Sequence, residues 1–389
     1  MSGPLTGVRV VEIGGIGPGP FAGMLLADLG AEVVRVDRPR ADGDRETHRV
    51  LLRGRRSIAV DLKDPRGRNV VLALVERSDI LLEGFRPGVM ERLGLGPDAA
   101  LRRRPGLVYG RMTGWGQVGP LANVAGHDIN YIAVAGALAP IVASDLAPTP
   151  PLNMLGDFGG GGMLLACGVI AALLHARQSG KGQVVDAAIV DGVALLTAML
   201  HSMRASGQWA APRGQNLFDG GAPFYGVYRT ADGHWVAVGA IEPQFYARLI
   251  DGLGLGEEID DVAQHDARHW PRLRQLFADR FAQRTKSQWL EIFAGGDACV
   301  TGVTDPADVL SEPQLAARRT YVEADELLQP APAPRFSRTT LTLPAPAPSP
   351  GADTGAVLAE LGLTCEQITE LELAGVVNAP PAGATNLKD

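Results

Sequence analysis

Residues 8–37 read VRVVEIGGIGPGPFAGMLLADLGAEVVRVD and decide the fold class. The β-branched run at 8–13 predicts a strand, and the glycine- and proline-rich stretch that follows it predicts a loop. AGMLLADLG at 22–30 has helical spacing and ends on glycine, and a second strand is expected at 31–37. The stretch therefore predicts a βαβ unit.

The alternation of strands and helices continues along the chain. Strand-like runs at 57–62, 79–84 and 107–112 are separated by helical patterns, one of them over about 65–77. This order predicts a mostly parallel sheet with helices on both faces. Helical patterns dominate residues 127–205.

A different pattern begins at 224–240, where FYGVYRTADGHWVAVGA predicts a β-hairpin and the start of a second domain. Helical patterns follow at about 243–254, 271–283 and 286–294. Seven of the 28 prolines fall in residues 329–350. This segment is expected to be extended, because proline fits neither helix interiors nor central strands.

Composition and charge exclude several functions. The net charge of −7 argues against a nucleic-acid partner. Residues 1–110 hold 18 Lys+Arg against 14 Asp+Glu, or +4, so the remainder carries −7 − 4 = −11. This asymmetry indicates either a small polyanionic ligand or ordinary solvated arginines. Three cysteines are too few for a disulfide framework, and a reducing, cytoplasmic location is expected.

No membrane partner is expected either. The chain does not begin with a basic, then apolar, signal sequence. The apolar segments YIAVAGALAPIVA and MLLACGVIAALLHA fall short of a bilayer span and are interpreted as buried helices.

Two motifs resemble known sites but lack their chemistry. GPGPFA at 17–22 follows a strand and precedes Asp37 by the spacing of a dinucleotide fingerprint. Pro18 and Pro20 lack the backbone N–H groups that would hold a pyrophosphate, so NAD binding is not expected. HDARH at 265–269 has no third ligand nearby; it is interpreted as a helix end, and no metal is expected.

A histidine and an aspartate each follow a glycine and precede an apolar helical pattern. His127 follows Gly126, and Asp157 follows Gly156. At a helix N-terminus the field of the helix favours a neutral imidazole, which can act as a base, and free N–H groups can stabilise an enolate oxygen. The alternative is local, since aspartate is a preferred N-cap and a histidine at a helix start is unremarkable.

Several long motifs resemble the class III CoA-transferase family over residues 3–340. They include the opening stretch quoted above, EGFRPGVMERLGLGP, RMTGWGQVGP, GHDINY, GDFGGGGM and GKGQVVDAAIVDG. Within that family, the resemblance is greatest to the racemases of 2-methylacyl-CoA thioesters. It implies an α/β fold: a Rossmann-like large domain with a mostly parallel sheet, plus a smaller α+β domain, in an interlocked homodimer.

Domain boundaries follow from the patterns and the resemblance together. A large CoA-binding domain is predicted at 1–205, a linker at 206–223 and the small domain at 224–320. The proline-rich return and the helices at 321–389 are expected to complete the large domain.

The resemblance implies proton transfer at the α-carbon. A racemase of this type removes the α-proton, forms a planar enolate and reprotonates the other face, which interconverts the (2R) and (2S) epimers. His127 and Asp157 match the two bases, and Glu242 matches a carboxylate that supports the histidine. Asp128 is either a partner of these residues or a helix-start residue. Coenzyme A is part of the substrate, so no separate cofactor is expected.

The resemblance also implies a CoA groove, for which arginine suits the phosphate groups. Arg38 matches a contact with the adenosine phosphate end, and Gly126, Asn130 and Tyr131 match the thioester end. The segments that match the groove between them contain Val60, Asp61, Leu62, Lys63, Gly84, Phe85, Arg86 and Arg92.

CoA transfer is the main alternative. Transferase relatives use an aspartate at the position of Asp157 as a nucleophile that forms an acyl anhydride. His127 favours the racemase, because a transferase needs no base there. The absence of a glycine cluster between Tyr228 and Tyr246 also favours it. A CoA-binding protein without catalysis is the third hypothesis.

Four methionines, Met154, Met163, Met199 and Met203, could give an adaptable apolar surface for the acyl chain. At least two of them are expected to pack in the core instead.

Overall fold

The structure is a computed structural model that describes residues 3–39, 48–142, 147–259 and 262–378. The chain divides into two compact units. The first comprises Met1–Ala135, Pro151–Leu196 and Thr320–Asp389, and the second comprises Gly136–Pro150 and Thr197–Arg319. The boundaries predicted at 205, 223 and 320 stay predictions.

The strands and helices are numbered in chain order. The strands are β1 Arg9–Ile13, β2 Glu32–Asp37, β3 Arg55–Val60, β4 Ile80–Glu83, β5 Val108–Thr113, β6 Gln183–Ala188, β7 Tyr225–Arg229, β8 Trp235–Gly239, β9 Val300–Gly302, β10 Tyr321–Ala324, β11 Leu327–Pro330 and β12 Val377–Asn378. The α-helices are α1 Pro18–Asp28, α2 Pro65–Glu76, α3 Val89–Arg92, α4 Pro97–Arg103, α5 Asp128–Val134, α6 Leu164–Ser179, α7 Ile189–Leu196, α8 Ala198–Ala205, α9 Pro243–Leu253, α10 Gly256–Ile259, α11 Trp270–Phe281, α12 Lys286–Ile292, α13 Pro313–Arg318, α14 Thr354–Glu360 and α15 Cys365–Leu373.

The first unit is built on a seven-stranded sheet in the order β12-β3-β2-β1-β4-β5-β6. The strands β1 to β6 are parallel, and β12 pairs antiparallel with β3. The order 3-2-1-4-5-6 is that of a Rossmann-type sheet, in which ligands bind beyond the carboxyl ends of the strands near β1 and β4. The predicted α/β fold with a mostly parallel sheet is confirmed.

Local chemistry explains where the first helices begin and end. Gly17 precedes α1 with a positive φ of 69°, and Gly30 follows it with a φ of 97°. Asp64 caps α2, since its side chain accepts a hydrogen bond from the Arg66 N–H at 2.8 Å. Pro18 and Pro65 occupy first-turn positions, where no N–H is needed.

The second unit contains the antiparallel sheet β7-β8-β9, so the predicted hairpin at 224–240 forms. Helices α9, α11 and α12 lie close to the predicted helical ranges. Its core is aromatic: Phe224, Phe277, Phe281 and Trp289 are fully buried. HDARH lies in turns immediately before α11, with His269 at the N-cap.

The C-terminal residues of the first unit return to its sheet. From Ala331 to Pro350 the chain is extended and irregular, as the prolines predict. Helix α14 then anchors the edge of the sheet, because Thr354 Oγ1 accepts from the Ala59 N–H at 3.1 Å and donates to the Asn378 carbonyl at 2.9 Å.

The longest helical segment was underestimated from the sequence. A wide, π-type helix at Met154–Met163 continues directly into α6, which gives 26 continuous residues. By length and composition this helix could cross a membrane, so the prediction that the segment is too short is wrong. In the structure 44% of its most apolar window is buried. Core helices pass the same test of length and composition.

Glycines let the π-type helix, Met154–Met163, pack against its neighbours. A methyl group on Gly160 would lie 2.8 Å from a Val193 methyl of α7, and one on Gly162 would lie 2.6 Å from the Phe21 ring of α1. The glycine run therefore sets the helix close to both, at the carboxyl end of the sheet where α1 begins.

Candidate active site

Asp157 lies in the first turn of the π-type helix but is not its N-cap. Asn153 occupies the cap position, and Asp157 is the fourth residue of the helix. The interpretation of Asp157 as a plain N-cap is therefore wrong. Its carboxylate instead points toward the start of α1, where a methyl group on Gly17 would lie 3.3 Å from Asp157 Oδ2.

His127 occupies the predicted position at a helix start. It is the N-cap of α5, and its backbone N–H donates to Asn130 Oδ1 at 3.0 Å. The side chain of Asn130 thus accepts the hydrogen bond of the His127 backbone N–H, which has no partner within the helix. His127 itself is exposed. The imidazole is accessible to a substrate.

Asp128 joins the two candidate proton carriers. It is 6% exposed, and its Oδ2 accepts a hydrogen bond from the Asp157 backbone N–H at 2.6 Å. A methyl group on Gly156 would lie 2.4 Å from the same oxygen, so only glycine permits this approach. The carboxylate that follows His127 therefore fixes the backbone of Asp157. Asp128 Oδ1 is buried and has no hydrogen-bond partner among the described residues.

The environment of Asp157 raises the pKa of its carboxyl group. Burial is the largest cause, and the charge of Asp128 raises the pKa further, whereas the Asn153 amide at 3.4 Å and His127 lower it. A carboxyl group with a raised pKa holds a proton at higher pH than an ordinary aspartate, which suits an acid that must deliver one.

Tyr131 supports the loop that leads into His127. Its phenol donates to the Gly126 carbonyl, and its ring packs edge-on against Trp115 with centroids 4.7 Å apart. Burial, and next the negative charge of Asp157, raise the pKa of Tyr131. Gly126, Asn130 and Tyr131, predicted at the thioester end, thus lie in the same part of the first unit as both carriers.

Most of the residues predicted to bind CoA follow the carboxyl ends of three parallel strands, β3, β2 and β4, with β1 between the last two. Arg38 follows β2, the segment Val60, Asp61, Leu62 and Lys63 ends β3, and Gly84, Phe85 and Arg86 follow β4. Parallel strands bring these segments to one edge of the sheet. The cationic residues among the CoA predictions, Arg38, Lys63, Arg86 and Arg92, are all exposed.

Four of these predicted contacts have a structural role as well. Val60 is 1% exposed in the core, and Leu62 and Phe85 pack against the same cluster. Any contact of Val60 with a ligand is therefore through its backbone. Asp61 Oδ1 accepts from the Lys63 N–H at 2.9 Å, which fixes the turn after β3.

Glu242 belongs to the second unit. It is the N-cap of α9 and is exposed, and its side chain forms no cap hydrogen bond. Its predicted support of His127 stays a prediction.

Sequence analysis did not identify a buried charged cluster beneath the start of α1. Glu12, Arg35, Asp37 and Arg55 are each at most 8% exposed and form ion pairs across β1, β2 and β3. Two other arginines, Arg53 and Arg111, are buried in ion pairs as well. Three arginines of residues 1–110, Arg35, Arg53 and Arg55, are therefore internal and paired with carboxylates, neither solvated nor free for a polyanion.

The methionine prediction was partly wrong. Met154, Met163 and Met199 are 59%, 54% and 61% exposed, and of the four only Met203 is buried. The first two belong to the π-type helix that carries Asp157.

Comparisons with known proteins show the family of this chain. Residues 5–354 match the sequence model of CoA-transferase family III. The chain is 48% identical to α-methylacyl-CoA racemase of Mus musculus over 377 residues, which are 96% of this chain and 98% of that protein. It is 47% identical to the racemase of Homo sapiens over 378 residues, with the same coverage. A crystal structure of a CAIB/BAIF family protein from Brucella suis superposes with a TM-score of 0.80 at 27% identity, covering 93% of this chain and all of that one. The chain belongs to CoA-transferase family III.

Proposed function

We propose that this protein is an α-methylacyl-CoA racemase, which interconverts (2R)- and (2S)-2-methylacyl-CoA thioesters. The observation that carries the proposal is the hydrogen bond from the Asp157 N–H to Asp128 Oδ2. Because Asp128 directly follows His127, this bond holds the two proposed proton carriers, His127 and Asp157, in one part of the first unit. The identity of 47–48% to two racemases supports the same reaction.

His127 is proposed as one base. An exposed imidazole at the start of α5 can take the α-proton of one epimer, and the adjacent N–H groups of the helix can stabilise the thioester oxygen as the enolate forms. The electron pair of the broken C–H bond moves into the enolate, so no redox partner is required.

Asp157 is proposed as the carrier on the opposite face. With its pKa raised by burial, it delivers a proton to the enolate carbon when His127 has removed one. In the other direction the deprotonated Asp157 removes the proton and His127 returns it. Each properly placed acid or base contributes typically about 10²–10⁴ in rate.

The CoA portion is proposed to lie across the carboxyl ends of β2, β3 and β4, with Arg38 and Arg86 near its phosphate groups. These guanidinium groups are exposed and follow two parallel strands, β2 and β4, that lie on either side of β1. The reaction uses no further cofactor, since the thioester itself acidifies the α-proton.

A homodimer and a cytoplasmic location are also proposed. Leu174, Val184 and Leu195 of the first unit are 60%, 40% and 66% exposed, and a second copy would cover such apolar side chains.

The test incubates one epimer of a 2-methylacyl-CoA with the enzyme in D₂O, with a free carboxylic acid present. Deuterium at Cα together with the opposite epimer is the expected result. CoA passing to the free acid without α-exchange would replace the racemase by a transferase that uses Asp157 as nucleophile. Binding of the thioester with neither reaction would leave a non-catalytic CoA-binding protein.

A further inference from the structure

We call residues 14–20 the loop 14–20: they comprise the connection that follows β1 and the first three residues of α1, and they lie beside Asp157. A methyl group on Gly17 would lie 3.3 Å from Asp157 Oδ2, and a methyl on Gly161 would lie 3.0 Å from Pro18 Cβ. The rings of Phe21 and Phe158 pack nearby at a tilt of 35°, with centroids 4.7 Å apart. The position of this loop therefore determines how much water reaches the Asp157 carboxyl group.

Two buried guanidinium groups hold this loop at its two ends. Arg35 Nη2 donates to the Gly15 carbonyl at 3.0 Å, and Arg55 Nη2 donates to the Pro20 carbonyl. Pro18 and Pro20 have no backbone N–H, so this segment has fewer main-chain donors of its own, and the bonds from Arg35 and Arg55 add to them.

Glu12 fixes both guanidinium groups in turn. Its two oxygens accept from Arg35 and, at 3.1 Å, from Arg55. Asp37 takes a second bond from Arg35 at 2.9 Å and is itself held by Ser57 at 2.6 Å. A buried cluster of this kind is weak evidence for stability, because apolar replacements are often equally stable. The directed hydrogen bonds of this cluster to the loop 14–20 indicate a role in positioning instead.

We propose that Arg35 and Arg55 are positioning residues for Asp157, because they fix both ends of the loop 14–20 against which the Asp157 carboxyl group rests. The inference rests on the proposed function for its effect on rate but not for its effect on the loop. Loosening the loop admits water to Asp157, and the pKa that burial raises then falls toward its ordinary value.

Other groups that act on Asp157 are unchanged by this perturbation. They are His127, Asp128 and Tyr131 in and before α5, and Asn153 on the π-type helix itself. Residues 14–27 of the loop and α1 contain no titratable side chain, and Asp191 of α7 acts on Asp186. A change in the pKa of Asp157 would therefore report its exposure to water.

The test compares Arg35→Lys and Arg55→Lys with Arg53→Lys. An ammonium group keeps the charge beside Glu12, but it cannot also reproduce the directed guanidinium bonds to the loop. Arg53 is a matched control, because it is equally buried and pairs with Asp28 at the other end of α1, with bonds of 3.0 and 2.6 Å, without touching the loop.

Hydrogen exchange of residues 14–24 and ¹³C titration of the Asp157 carboxyl are measured, with Asp157→Asn used to assign the resonance. In the Arg35 and Arg55 variants we expect loop exchange to accelerate about 10-fold or more. The Asp157 pKa is expected to fall, and kcat should drop about 10-fold or more with little change in KM. The Arg53 variant should change none of these.

Unchanged loop exchange and an unchanged Asp157 pKa in folded Arg35 and Arg55 variants would overturn the inference. If these variants do not fold, rapid exchange of the same loop in the wild-type protein overturns it and slow exchange supports it. If Asp157→Asn retains full α-proton exchange, the proposed function fails, while the loop and pKa measurements still decide the inference.

Discussion

Gly156→Ala should lower the rate of racemisation without removing any functional side chain. The new methyl group would lie 2.4 Å from Asp128 Oδ2 and 2.7 Å from Asp128 Cγ. Asp128 is buried, so its side chain cannot rotate into solvent to make room for the methyl group. Either the Asp128 carboxylate or the backbone of Asp157 must therefore move.

The size of the movement follows from the contact. An ordinary contact of about 3.4 Å requires a displacement of about 1 Å, which also breaks the 2.6 Å bond between Asp157 N–H and Asp128 Oδ2. A misplacement of about 1 Å can cost on the order of 10²-fold in rate, or about 2.7 kcal/mol in activation free energy. We expect kcat to fall by about that factor, with KM for the thioester nearly unchanged.

The assay is polarimetry or chiral chromatography of a 2-methylacyl-CoA, with thermal unfolding to confirm the fold. Gly159→Ala is the matched control, because it lies in the same helix and its methyl would meet its nearest atoms at 3.2 and 3.4 Å. Equal kcat values for the two folded variants would refute the claim that Asp128 positions Asp157.

Three further predictions concern single side chains. Asp128→Asn keeps an acceptor for the Asp157 N–H but removes a charge that raises the pKa of Asp157. The limb of the pH–rate profile that reports Asp157 should therefore move to lower pH. An unmoved limb would exclude that charge effect. Asp157→Asn should abolish racemisation, and its free energy of unfolding should rise relative to that of the wild type as pH rises. The reason is that the Asp157 carboxyl has a higher pKa in the folded protein than in the unfolded chain, so the wild type loses stability as pH rises through the folded pKa. Urea unfolding across the acid range measures this, and a difference in unfolding free energy that stays constant with pH would count against it. Arg86→Ala should raise KM about 10-fold or more with kcat retained, since a charge-assisted bond to phosphate contributes about 1.5–3 kcal/mol. Initial rates over a range of thioester concentrations up to saturation separate KM from kcat. Loss of kcat alone would contradict the assignment.

The architecture of the first unit was predictable because its strands are buried on both faces. VRVVEI and AEVVRVD are rich in valine with only isolated charged residues, and such runs with an intervening helix form few structures other than a parallel βαβ unit. The edge strands β6 and β12 were not predicted. β6 has an exposed amino-terminal half, and β12 has two residues that are a strand only because they pair with β3.

The positions of the proton carriers were partly predictable. His127 precedes an apolar helix and forms its N-cap, as expected. The π-type helix around Asp157 was not predicted, because it depends on glycines that allow α1 and α7 to approach, which is a tertiary effect. The buried cluster had a signal in the sequence, since Glu12 and Arg35 interrupt runs of valine and isoleucine in the two strands. In the structure the two residues are opposite each other in register.

The central claim is that His127 and Asp157 serve opposite faces of one α-carbon. The most direct test incubates each pure epimer in D₂O with His127→Ala and, separately, with Asp157→Asn, and follows deuterium at Cα. The account predicts that neither variant racemises and that each exchanges the α-proton of one epimer only, with the two variants selecting opposite epimers. Exchange of both epimers by either variant would contradict it.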